Sequence, residues 1–263
     1  MCGQGYDTWI LELRGAGLST QGMNFGQYID PLDSISQKKD FYGYEGKDSG
    51  LAAVTTLASS LDYMSSRSSL KLLLPLGSVI EAKLLKHCRP ARVLNVPVIP
   101  IGTLLAATHP FAANPPYLLS WLSPQISTPD MLQPKLFEKL VTKNFKTVPA
   151  KLLLQLATIF EEGGLRDRSG TFFYKNHLSK SNVPVLAIAG DQDLICPPDA
   201  VYVCNDINGV EIVKLILEPL VTYKVFGEPS GPHFAHYDIV GAQRVVDLVY
   251  PCIIEFLNHH DAA

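Results

Sequence analysis

Val183-Pro-Val-Leu-Ala-Ile-Ala-Gly-Asp-Gln-Asp193 decides the fold class. A short, almost unbroken apolar run is what a parallel strand buried on both faces requires. Gly190 ends the run, and Asp191 and Asp193 stand just past it, with Pro197-Pro198 beyond. A second apolar run, Leu220 to Phe226, leads into a loop that reads Gly231-Pro-His233-Phe-Ala-His236-Tyr-Asp238. Carboxylates behind one strand and imidazoles behind the next predict an α/β protein whose chemistry gathers at the carboxyl ends of its strands.

The rest of the composition bounds the function. The chain has 263 residues, 47% of them hydrophobic and 18% charged. That length suits one large α/β domain, or a domain with a cap. The charged share lies below the usual quarter or so, which points to a large buried interior or an apolar binding surface. The net charge of −3 carries no basic block. It offers no electrostatic footprint for nucleic acid and no polybasic membrane segment. No apolar run approaches the roughly 18 residues of a spanning helix. Cys2, Cys88, Cys196, Cys204 and Cys252 are scattered, with no C-x-x-C spacing. They read as reduced thiols of an intracellular protein, and the N-terminus shows no signal peptide.

Taken in order, Thr8 to Leu13 reads as a strand closed by Arg14-Gly-Ala-Gly17, and residues 20–48 as an irregular linker. Ser49 to Ala58 reads as a strand, followed by a serine-rich turn region. Residues 70–182 are rich in leucine and proline and lack strand–helix alternation, and the insert they mark is expected over residues 64–182. They suggest a helical cap inserted between strands, with helices near residues 134–145 and 149–162. Further helices are expected over 199–216 and, despite Pro251, over 240–259. The whole chain reads as a single domain.

These blocks resemble the α/β-hydrolase superfamily, and most of all a group of lipase-like α/β-hydrolase proteins found in plants. Gly5-Tyr-Asp-Thr-Trp-Ile-Leu-Glu-Leu-Arg-Gly-Ala-Gly-Leu-Ser19 is similar to the strand and turn that precede the nucleophile there. The strand ending Gly190-Asp-Gln-Asp193 resembles the acid turn, and His236-Tyr-Asp238 the histidine loop. In that superfamily the nucleophile, the acid and the histidine follow in this order. The histidine takes the nucleophile's proton, and the carboxylate orients the imidazole and stabilises its charged form. The resemblance implies Asp193 as the acid and His236 as the base, with His233 a competing base. Asp191 is expected to bond its own loop backbone, and Asp238 to act as a local brace or helix N-cap. It also implies a small apolar ester or acyl ligand, no cofactor, and a cytoplasmic or plastid location.

The resemblance stops at the nucleophile. No Gly-x-Ser-x-Gly occurs in the sequence. Ser19, Ser49, Ser78 and Ser230 each have the wrong spacing or the wrong setting for the strained elbow that exposes a serine above the sheet. The expectation is an incomplete α/β-hydrolase fold, mostly parallel, that lacks N-terminal strands and keeps the acid and base without their nucleophile. An unpaired sheet edge would then favour self-association. The alternatives are an active serine hydrolase with an unconventional nucleophile and a non-catalytic binding module. A dinucleotide binder is disfavoured because no G-x-G-x-x-G follows a strand. Zinc at His233, His236 and Asp238 lacks a second cluster of ligands.

Overall fold

The structure, a computed structural model, describes residues 51–73, 98–99, 123–140, 148–167, 169–202, 216, 218–227 and 229–261. The strands are β1 (Val54–Leu57), β2 (Val98–Ile99), β3 (Val148–Pro149), β4 (Val185–Gly190) and β5 (Val221–Phe226). The α-helices are α1 (Ser123–Ile126), α2 (Pro134–Lys139), α3 (Ala150–Ala157), α4 (Pro198–Tyr202), α5 (Asp238–Gly241) and α6 (Val249–His260). Short 3-10 turns fill Ser69–Leu73, Thr158–Phe160, Tyr174–Lys180, Glu218–Leu220 and Gln243–Val246.

The apolar run at residues 185–190 becomes the middle strand of a parallel sheet in the order β1-β4-β5. Val54 to Leu57 lie opposite Val185 to Ile188, and Val221 to Phe226 opposite Val185 to Gly190. Side chains of a strand alternate between faces, and β4 divides the core accordingly. Leu186 and Ile188 enter one cluster with Phe234, Ile239, Val245, Val249 and Ile253. Ala189 enters the other, with Tyr63, Ile159, Leu165, Tyr174, Cys196 and Val201. Helices α5 and α6 thus cover one face, and α4 with Ile159, Leu165 and Tyr174 covers the other. This is the α/β class read from the sequence.

Several boundaries differ from expectation. β1 is shorter than residues 49–58. The helix expected over 149–162 is α3 followed by a 3-10 turn. Helix α2 accounts for the described start of the one expected over 134–145, and α4 for the start of the one over 199–216. The terminal helix is broken into α5, a 3-10 turn and α6. Ala242 is extended, with φ −68 and ψ 151, and ends α5. Pro251 bears on the second break, the one just ahead of α6. Inside a continuous helix its ring would collide with the carbonyl four residues back. A fresh start at Val249 places it in the first turn of α6, where a missing N–H costs no intrahelical bond. The pair β2–β3 is antiparallel and was not expected in the insert. The expected strand at Thr8–Leu13, the linker at 20–48, and Cys2, Cys88 and Cys204 lie outside the described residues. Among the described residues, no helix is long and apolar enough to cross a membrane.

Candidate active site

The site forms where β4 and β5 end. The Asp191 amide donates to the Phe226 carbonyl at 2.9 Å, carrying the sheet ladder one residue past β4. The chain then turns, and the Asp193 amide donates to the Gly190 carbonyl at 3.2 Å. This brings Asp193 beneath the loop, where it is 1% exposed. Its Oδ1 accepts the amides of Ile195 at 2.9 Å and Cys196 at 2.8 Å. Its Oδ2 stands 2.9 Å from His236 Nδ1. Buried carboxylates persist only when their lone pairs are taken, and both oxygens of Asp193 have partners.

Two glycines let the loops meet. A Cβ on Gly190 would lie 2.3 Å from the Phe234 carbonyl oxygen. Gly227 has φ +140, and a Cβ there would lie 2.1 Å from the Asp191 carboxyl carbon. An antiparallel bridge from Gly227 to His233 then folds the second loop back over the first.

Residues 233–236 are held almost atom by atom. His233 Nδ1 meets Asp191 Oδ2 at 2.5 Å, and the Phe234 amide donates to Asp191 Oδ1 at 2.9 Å. The Phe234 carbonyl accepts the Gln192 amide at 3.1 Å. The Ala235 amide donates to Asp238 Oδ2 at 2.8 Å, and the His236 ring goes to Asp193. Three carboxylates therefore fix four consecutive residues. Asp191 departs from expectation: its carboxylate reaches across to the histidine loop instead of bonding its own loop backbone. That backbone task falls to Asp193. Asp238 departs in part. The N-cap of α5 is Tyr237, with no side-chain cap bond, while Asp238 serves as the brace.

In the tautomer that carries its proton on Nδ1, His236 donates to Asp193 Oδ2 and keeps a lone pair on Nε2. The His236 side chain is 24% exposed, so the outer edge of the ring is within reach of a ligand. Both Asp–His pairs share this design, but their surroundings differ. Asp193 is fully enclosed, whereas Asp191 and His233 are 21% and 42% exposed at their side chains. The enclosed carboxylate suffers less solvent screening and directs its histidine more firmly.

A thiol and a phenol lie against the acid turn. Burial is the main cause that raises the pKa of both Tyr63 and Cys196. The negative charge of Asp193 adds to each, and Cys196 is pushed up to about 12. Protonated and fully buried, Cys196 is removed as a nucleophile.

The described residues join each candidate acid to a histidine, and they add Gly190, Gly227, Ser127 and Thr128. Only the glycines carried a sequence signal, at strand ends. No serine or cysteine among the described residues is hydrogen-bonded to the His236 ring. Ser230 is an exposed turn residue, and Ser19, Ser49 and Ser78 lie outside the described residues. No group of three or more metal-binding side chains occurs among the described residues. No family model, curated protein or solved structure matches this chain.

Proposed function

We propose that this chain is a lipase-like α/β-hydrolase protein, of the ester or acyl hydrolase type, that retains the acid and base of a triad and is catalytically incomplete. The observation that carries the reading is the 2.9 Å contact between the enclosed Asp193 and the part-exposed His236. Asp193 is the orienting acid and His236 the base, each on the loop that follows a parallel strand. His233, the competing base, is bound to the more exposed carboxylate. The insert over residues 64–182 is the cap, and a small apolar ester or acyl group is the ligand. Without a Gly-x-Ser-x-Gly elbow, the imidazole has no recognisable hydroxyl to deprotonate. Residual catalysis by a site lacking a triad member depends on its oxyanion hole.

One observation favours a second reading, an active serine hydrolase with an unconventional nucleophile. The His236 side chain is part-exposed, at 24%, and a general base needs such access to its substrate. A fluorophosphonate probe with peptide mapping decides between the two. The folded protein is expected to stay unlabelled while an intact serine hydrolase beside it labels fully. An adduct at one serine that disappears in His236→Ala would overturn the incomplete-site reading and establish the active one.

A further inference from the structure

The histidine loop is also held from the insert. Asp238 is wholly buried, and its carboxylate collects donors from two places. Ser127 Oγ donates to Oδ1 at 2.6 Å, and the Thr128 amide donates to Oδ2 at 2.8 Å. The Thr128 hydroxyl lies 3.0 Å from Oδ2 and 2.7 Å from the His233 carbonyl oxygen. From the loop itself, the Ala235 amide donates to Oδ2. One residue earlier in the insert, the Ile126 carbonyl accepts the Tyr237 amide at 3.0 Å. Residues 126–128 therefore grip the backbone on both sides of His236 while leaving its ring to Asp193.

We propose that Thr128, with Ser127 beside it, is a positioning residue for His236. The inference rests on reading Asp193–His236 as the acid–base pair. A buried carboxylate held by neutral donors depends on each of them, because hydrogen bonds to an ionised group are the strong ones. The single proton of the Thr128 hydroxyl faces two acceptors, the brace carboxylate and the His233 carbonyl. Its loss loosens the loop at both points, and the ring of His236 moves with the loop. The segment at the end of α1 belongs to the insert, so the seating of the insert is transmitted to the imidazole through Thr128 and Asp238.

The test reads the ring itself and not turnover. In the full chain labelled with ¹⁵N-histidine, the imidazole ¹⁵N shifts report which nitrogen carries the proton when the ring is neutral. The wild-type ring is expected in the Nδ1–H form directed at Asp193. Thr128→Val is expected to lower the ratio of that form to its tautomer by about tenfold, the scale of one lost bond to a charged group. Thr128→Ser keeps the hydroxyl and is expected to keep the ratio. A Thr128→Val protein with a lowered melting temperature and an unchanged ratio would overturn the proposal, leaving Thr128 a packing contact. A wild-type ring outside the Nδ1–H form would overturn it too, since no held imidazole would exist. If Thr128→Val does not fold, Ser127→Ala is read by the same two outcomes. Fluorophosphonate labelling judges the hydrolase reading separately, so the two can fail independently.

Discussion

At the scale of single residues, the meeting of the two loops depends on the absence of side chains. Gly227→Ala would add an atom 2.1 Å from the Asp191 carboxyl carbon in a backbone region that L-residues avoid. Gly170, with φ +75, has nothing within 4 Å of an added Cβ. Gly170→Ala is expected to cost about 1 kcal/mol, the left-handed penalty alone. Gly227→Ala is expected to cost about 3 kcal/mol, because crowding adds to strain. Urea denaturation of the two variants separates these effects. The buried thiol makes a second prediction. Folding raises the Cys196 pKa from an ordinary 9.0 to about 12, and that of Tyr223 from 10.0 to about 12. Above pH 9 the unfolded chain therefore releases protons that the folded chain keeps. The folded state is favoured in full below that pH and loses ground as pH rises toward 12. The urea midpoint is expected to fall between about pH 8 and about pH 10.5, and to fall less in Cys196→Ala. The sequence made Asp193 and His236 legible because each follows a strand at recognisable spacing. It hid the role of Asp191 because that carboxylate acts 42 residues away, on His233. Rules for turn residues are local and do not see such a bond.

At the scale of elements, β4 and α6 carry the larger core cluster. Ile188 is fully buried on β4, whereas Val225 on β5 is 43% exposed. Ile188→Ala is expected to destabilise by about 3 kcal/mol, the cost of lost transfer energy plus a cavity. Val225→Ala is expected to stay within about 0.5 kcal/mol. Chemical denaturation of both variants checks the contrast. β4 and β5 were legible because their apolar runs end at turn residues. The terminal helix was overextended because apolar spacing continues through residues 240–248, while the stereochemistry of Pro251 acts backwards on the turn before it. The pair β2–β3 escaped notice for another reason. Its strands are two residues each, too short to leave a period.

At the scale of the whole molecule, the sheet is a parallel assembly whose middle strand is paired on both sides. Opening β4 requires breaking two ladders, whereas β5 is joined by one among the described residues. Native-state hydrogen exchange is expected to be slowest in β4, with the exposed-face residues Thr222 and Lys224 of β5 exchanging at least about tenfold faster. Equal protection in β4 and β5 would count against β4 as the structural centre. The α/β class could be read from one apolar run because burial on both faces dictates its composition. The bonds from Ser127 and Thr128 to the Asp238 carboxylate could not. These are ordinary polar residues whose partners come from where the chain places them. The stitching between residues 191–193 and 233–236 has one more consequence. β4 and β5 are joined by a ladder, and their loops by carboxylate bonds, so the covalent link between them is not what keeps them together. A backbone cut between the two strands is expected to leave two pieces that remain docked, and the halves made separately are expected to find each other and reconstitute the site.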